Sequence, residues 1–480
     1  MKLPAVLVAL AIFPSSGALA SPRLSIDPVN QIPGGSITVS AAGFSERETL
    51  ADVYIDGTRV GMFPVSGGGF ADGTIQLDPD LGTGAHLVMV IGKATAAFDQ
   101  WSYVVTYNWP QPFRDGARSN VTQDRDFDAD TVAHLGLVRT IPVGDVAFGP
   151  VRYDGRIYLT TAAGQVRSIG LLPEQRSWTA DVGARSAPIA HDGRILTVSG
   201  DGTVTALDHR TGRVLGRRAL GAPWSARFHP VLADGILYVQ TRRGLFALHA
   251  SDLSIAWVNA DVAAIPSPGG VAVDADRVVA VANGRIHWLS PEDGSEIGSH
   301  PGTAPVKLVD GRISYNVVRR SGQRRRSEIR FASFPDEVAR VLPAGRNGIL
   351  SFPTRFGSGT YALLRDDRLG SRHYGELHLH SFDLTDRRVA DVLLPLQGRA
   401  SDLTGANGFL VASLDDVKTA GGGRGPDRLV VLEPPGNVRF QWTLPGAGTV
   451  PIVSDGRIYV VAGGTLHVFG RRGGGAPPGP

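Results

Sequence analysis

The sequence predicts an all-β protein, a small β-sandwich followed by a β-propeller. Three observations carry that prediction. Apolar and polar residues alternate with a period of two in short runs, the pattern of half-buried strands. An Asp-Gly-centred unit recurs at spacings of 38 and 42 residues, the period of propeller blades. The 480 residues include 61 glycines and 32 prolines, about 19% against a usual ~12%, so turns are frequent.

Residues 1–20 have the form of a secretory signal. Lys2 supplies the positive start, Leu3 to Phe13 is a short apolar run, and Ala18-Leu19-Ala20 ends it in an Ala-x-Ala pattern. The expected location is periplasmic or secreted. No later run is long enough to span a bilayer, so no transmembrane segment is expected after cleavage. Residues 21–110 form the first domain. Ser36–Ser40, Asp52–Ile55, His86–Ile91 and Trp101–Tyr107 alternate, separated by turn signals such as Asp56-Gly57. Several short strands in that space suggest a sandwich. The run Pro33-Gly34-Gly35-Ser36-Ile37-Thr38-Val39 onward resembles the opening of bacterial immunoglobulin-like (Ig-like) domains. Residues 111–134 are rich in Asp and Arg and are expected to be a solvated linker.

Residues 135–470 repeat. Pro150-Val151-Arg152-Tyr153-Asp154-Gly155-Arg156-Ile157 matches stretches beginning at Pro188, Pro230 and Pro451, with weaker copies centred on Asp276, Asp310 and Asn407. A further strand follows each turn, beginning near Val166, Val204, Phe246, Ile286, Ile329, Leu377, Leu429 and Leu466. That makes eight blades; degeneracy between 310 and 407 leaves seven open. Residues 135–143 occupy the position of an outer strand, and the last copy lacks one. The N-terminal segment is therefore expected to close the ring and remove its open edge. Residues 471–480 are a Gly/Pro tail expected to be disordered.

The repeat Asp-Gly-x-[Ile/Val]-[Tyr/Leu], then x-Leu-Asp-x-x-Thr-Gly, then Trp is best formed in residues 188–221, 230–260 and 451–470. It resembles the pyrroloquinoline-quinone (PQQ-type) propeller repeat over about 335 residues. The resemblance implies one of two branches. One is the quinoprotein dehydrogenases. The other is non-enzymatic, the BamB-like branch, which includes a lipoprotein of the outer-membrane β-barrel assembly machinery. The chain resembles the second in blade number, size and compartment. It differs in having no lipidated cysteine and in carrying an extra N-terminal domain.

Composition narrows the chemistry. With no cysteine, the chain has no disulfide, zinc–thiolate site, iron–sulfur cluster or cysteine nucleophile. Many quinoproteins resemble one another in a vicinal cysteine pair, absent here. Lys and Arg total 48 against 45 acidic residues, so no general nucleic-acid footprint exists. Asp124 to Asp130 has alternate carboxylates but Ala129 where a calcium loop needs Gly, and Leu135 where it needs Glu. His378 and His380 share a strand face near His373 and Glu376, with no evident third metal ligand. The Gly-rich stretch 418–425 lacks the context of a phosphate cradle.

The candidates for partner binding are therefore Arg185, Arg227 and His229, which precede repeat prolines and should rim the channel, and Arg324, Arg325 and Arg326 in a basic hairpin. No catalytic, cofactor-binding or metal residue is assigned. The expected function is that of a monomeric, non-enzymatic exported scaffold binding envelope or extracellular proteins. The alternative is an enzyme at the channel mouth, either a quinoprotein dehydrogenase with PQQ and Ca²⁺ or a glycan hydrolase or lyase.

Overall fold

The computed structural model describes residues 22–472, apart from Val29 and residues 113, 116–117, 119, 173–174, 225–228, 264–269, 303–305, 310–311, 322–323, 334–337, 347–348, 351–353, 357–358, 366–375, 383–387 and 416–424. The signal segment, Arg227, His373, most of the Gly-rich stretch and residues 473–480 lie outside that set, as do the side chains of Arg324, Arg325 and Arg326. The chain divides into two compact units at Val105/Thr106. Among the described residues no helix is long and apolar enough to cross a membrane.

The first unit is a two-sheet sandwich. Arg23–Asp27, Ser36–Ala42 and Phe70–Gln76 make one sheet. Asn30–Gln31, Phe98–Val105, Gly84–Gly92, Leu50–Ile55 and Thr58–Pro64 make the other, in that order. Alternation decides which side chains face inward. Ile37, Val39 and Ile75 from one sheet meet Val53, Val88 and Val90 from the other, all nearly inaccessible. Sequence periodicity missed Arg23–Asp27, Thr58–Pro64 and Phe70–Gln76. Their outward residues include Val60, Met62 and Phe70, which blur the apolar–polar contrast.

The second unit is the propeller. Eight sheets follow one another among the described residues. Their innermost strands are Val146–Tyr153, Ile189–His191, Val231–Ala233, Val271–Val273, Val306–Val309, Thr354–Phe356, Thr404–Ala406 and Ile452–Ser454, here called blades 1 to 8. The recurrent Asp-Gly pairs turn the innermost strand into the second. Both residues take positive φ, as at Asp154 (50°) and Gly155 (67°), which a tight hairpin turn demands. Asn407-Gly408 does the same in a weaker copy, at 37° and 93°.

The ring closes where the sequence placed the closure. Leu135–Pro142 pairs antiparallel with Thr465–Arg471 as the outer strand of blade 8. Neighbouring blades share apolar clusters: Ile189 and Leu196 pack with Leu237 and Val239, and Ile157 and Leu159 pack with Tyr459 and Leu466. Tryptophan gives part of the lock. The Trp178 indole N–H of blade 1 donates to the His209 carbonyl of blade 2 (3.0 Å), and Trp257 of blade 3 donates to the Pro291 carbonyl of blade 4 (2.9 Å). Each ring covers the glycine of the next blade's outer turn, Gly212 or Gly294.

That arrangement gives a graded test. Gly212 has φ +72°, and a Cβ there would lie 2.5 Å from Trp178 Cε3. Gly284 also has φ +72°, with open space around its missing Cβ. Gly284→Ala should cost only the left-handed penalty of about 1–2 kcal/mol. Gly212→Ala should cost about 1–3 kcal/mol more, because the indole must move. Urea unfolding of the two variants measures the difference; equal losses would mean that the indole does not depend on that glycine.

Candidate binding cavity in the propeller channel

Residues 106–128 are polar, yet much of the segment is buried, because its polar groups bond to the innermost strands rather than to water. Tyr107 N–H donates to Asp455 Oδ1 of blade 8 (2.8 Å), and the Thr106 hydroxyl donates to both Asp455 oxygens (3.2 and 3.0 Å). Trp109 exchanges two backbone bonds with Arg152 of blade 1 (2.8 and 2.9 Å). Ala190 of blade 2 donates to the Pro110 carbonyl (2.7 Å). The Gln111 amide stands in for a peptide group: it donates to the Leu232 carbonyl and accepts from Leu232 N–H, both at 2.8 Å, in blade 3. Arg118 donates to the Val271 carbonyl of blade 4 (3.3 Å). Val121–Thr122 then adds as a parallel strand to Thr404–Ala406 of blade 7. Asp124 returns to blade 8, accepting from Gly456 N–H (2.9 Å). Residues 106–124, expected to be the end of the sandwich up to 110 and a solvated linker from 111, thus make a circuit of the channel at the end carrying the Asp-Gly turns. Phe127 and Val132 continue it into the core between blades 7 and 8, with Asp128 capping the short helix Ala129–Ala133.

The circuit is anchored by buried charge. Arg152 and Asp455 form an ion pair across the seam of blades 1 and 8, with side chains 5% and 9% exposed. Arg152 also donates to the hydroxyls of Thr106 (2.6 Å) and Ser454, and lies over the Tyr459 ring. Although burial opposes its charge, Asp455 and its other anionic neighbours hold the guanidinium protonated, above its ordinary range. Burial, with help from Asp455 and Asp126, pushes the Asp124 carboxyl up to about 7. The Asp154 carboxylate is buried as well: it lies 3.0 Å from His209 Nε2, and both side chains are 5% exposed. Asp154 and Asp455 do more than shape their turns, the role their Asp-Gly context suggests.

Above the circuit, on the side from which the innermost strands start, lies a cavity of about 220 Å³. Trp109, Pro112 and Asn120 of the circuit line it together with Phe148, Pro150, Ala187, His229, Val450 and Ile452. The Asn120 side chain is fully buried; its Nδ2 donates to the Leu403 carbonyl, and Oδ1 has no partner among the described residues. His229 meets Phe148 edge to face, ring centroids 5.3 Å apart. Burial, reinforced by the Arg118 charge, pushes its imidazole down to about 3, so it is neutral at ordinary pH. Among the described residues no carboxylate lines the cavity.

Of the residues singled out in the sequence, His229 lies on the cavity wall. Arg185 is exposed, its guanidinium donating to the Ala162 carbonyl (2.9 Å), away from the lining. His378 and His380 share one carboxylate, Asp391, at 2.9 and 3.7 Å. No group of three or more metal-ligating side chains occurs among the described residues. Trp109, Gln111, Arg118 and Asn120 were missed. Their signal was two amides inside a supposed linker and a tryptophan just before it, which water alone does not require.

Fold and channel together define a propeller of the PQQ repeat type, with its channel occupied at one end by its own preceding segment. The family model for outer membrane protein assembly factor BamB matches residues 138–218 and 162–367. The chain is 28% identical to outer membrane protein assembly factor BamB of Salmonella typhimurium over 109 residues, 23% of this chain and 27% of that protein. The match therefore spans about a quarter of the curated relative's length. Among solved structures, BamB from Moraxella catarrhalis aligns with 70% of this chain and 97% of its own at 15% identity and TM-score 0.49. A quinohemoprotein alcohol dehydrogenase from Pseudomonas putida aligns with 78% of this chain and 82% of its own at 12% identity and TM-score 0.52. At such identity the second likeness concerns the fold alone.

The raised Asp124 carboxyl makes stability depend on pH in a defined direction. An unfolded Asp titrates near 4. Between there and about 7 the folded chain holds the extra proton, so this group's contribution to stability falls as pH rises through that window and is level above it. Asp124→Asn keeps an acceptor for Gly456 and removes the titration. Thermal melts from pH 4 to 8 should show a shallower fall in the variant; an unchanged slope would assign the dependence elsewhere.

Proposed function

We propose that this chain is a non-enzymatic, exported propeller that binds proteins of the cell envelope, in the periplasm or outside the cell. The observation that carries the reading is the self-filled channel. Residues 106–124 bond to the innermost strands, leaving a cavity whose described wall is mostly apolar. Such a wall suits contact with protein rather than ionic chemistry. The sequence match to BamB supports the same direction, since that protein is described as an assembly factor. The Ig-like reading of the sandwich would add a second contact surface.

The described wall does not fit PQQ with calcium. Calcium takes six to eight oxygen ligands, largely carboxylates, and PQQ itself is a tricarboxylate. The wall offers Asn120 Oδ1, the Thr449 hydroxyl and a neutral His229 instead. A glycan hydrolase would need a pair of carboxylates at the cavity, and none is among the described lining.

The test compares melting with and without PQQ and Ca²⁺, followed by cross-linking in the native envelope. The expected result is a melting temperature unchanged by the cofactor and a discrete set of cross-linked envelope proteins. A rise of about 5 °C or more, the size that saturating ligand gives a domain this large, would overturn the reading. So would turnover of an alcohol by the loaded chain.

A further inference from the structure

The cavity above the circuit has a size and a wall that select what enters it. Its volume, about 220 Å³, exceeds the roughly 150 Å³ that holds a benzene ring. It falls short of the ~300–1,000 Å³ of a small-molecule site. One large side chain fills it. Ala147 at the rim is exposed, and Phe148, Gly149, Thr449 and Val450 are half-buried, so the cavity opens to solvent.

Two independent features of the wall name the kind of side chain. The first is aromatic. Trp109 of the circuit and Phe148 of blade 1 line the cavity, with His229 edge to face against Phe148. Ring against ring gains more than the area it buries, so a planar side chain suits this wall better than a branched one. His229 is neutral at ordinary pH, so a ring entering beside it buries no charge. Pro112 and Pro150 have fixed backbone, which leaves little to order when the cavity fills. The second feature is an acceptor. The Leu403 carbonyl can only accept, so the Asn120 amide must turn its nitrogen toward it. Oδ1 is then the other end of a fully buried amide that lines the cavity, and it has no partner among the described residues. A buried acceptor without a donor weakens the fold, and a ligand that brings the donor recovers the loss.

We propose that the cavity receives one tyrosine or tryptophan side chain of a partner polypeptide, its ring against Trp109 and Phe148 and its O–H or N–H donated to Asn120 Oδ1. The inference rests on the protein-binding reading and names the group recognised. Tyrosine and tryptophan join an apolar ring to a donor, whereas phenylalanine has no donor and would leave the acceptor unmatched. A single buried ring of this kind, seated in a central pocket, is the usual anchor of a protein interface.

The chain without residues 1–20 would be titrated with 4-methylphenol, 3-methylindole and toluene, the side chains of Tyr, Trp and Phe. Gly-Ser peptides carrying a single Tyr, Trp, Phe or Leu complete the set, and ligand-observed NMR reads binding. The phenol and the indole should bind at least about tenfold more tightly than toluene, because toluene leaves the acceptor unpaired. The Tyr and Trp peptides should bind no more weakly than the free side chains and should exceed the Phe and Leu peptides. Ala147→Trp plants an indole at the exposed rim and should weaken all binding at least about tenfold without lowering the melting temperature. Val450→Trp blocks the cavity from the blade 8 side and serves if the first variant does not fold. Equal binding of toluene overturns the proposal, as does binding unchanged in a folded blocking variant or no binding by any probe. Exclusion of the peptides while the free compounds bind would assign the cavity to a small aromatic molecule and overturn the partner. In envelope cross-linking, a blocking variant should lose captured proteins. Undiminished capture would remove this site and leave the protein-binding reading in place; no capture even by the unaltered chain would remove that reading.

Discussion

The propeller depends on one seam. Among the described residues the first seven blades take their four main strands from consecutive sequence, but blade 8 takes its outer strand, Leu135–Pro142, from near the start of the propeller unit. Where blade 8 meets blade 1, the Arg152–Asp455 pair is buried and holds Thr106 and Tyr107 as well. An ion pair so far from water adds little by itself, yet loss of one partner strands the other charge at a cost of about 3–5 kcal/mol. The pair therefore acts mainly as a specificity device. In the closed ring each charge is satisfied by the other.

The circuit of residues 106–124 follows from the same constraint. A ring of innermost strands exposes backbone groups near its axis, and buried backbone groups need partners. Gln111 satisfies both groups of Leu232, Val121–Thr122 satisfies blade 7, and Asp124 satisfies Gly456. What remains open is the pocket above Trp109 and Asn120. Its wall is mostly apolar because the polar atoms of the circuit mostly point outward to the blades.

Much of the blade architecture was readable because it is local. Asp-Gly pairs impose their turns, alternating residues impose their faces, and Trp178 and Trp257 fall at a countable distance from the preceding strand. The degenerate blades were readable only as spacing. The circuit was not readable at all. Its Asp, Asn and Gln have the composition of a solvated linker, and sequence does not say whether a polar side chain finds its partner in water or in a strand brought from more than a hundred residues away. Among the candidates, His229 directly precedes Pro230 and lines the cavity, as Ala187 before Pro188 does, whereas Arg185, two residues earlier in its repeat, turns to Ala162.

By itself, the sequence determined the all-β class, the repeat with its turn chemistry, the closing role of residues 135–143 and the exclusion of thiol chemistry. These depend on local backbone preference and on residue type, which the chain carries wherever it goes. Tertiary structure alone decided that Asp124 and Asp455 are buried, and that Asn120 lies beside a cavity with Oδ1 unmatched among the described residues. Each of these is a relation between distant residues, set by ring closure and strand register, and neither composition nor local propensity encodes it.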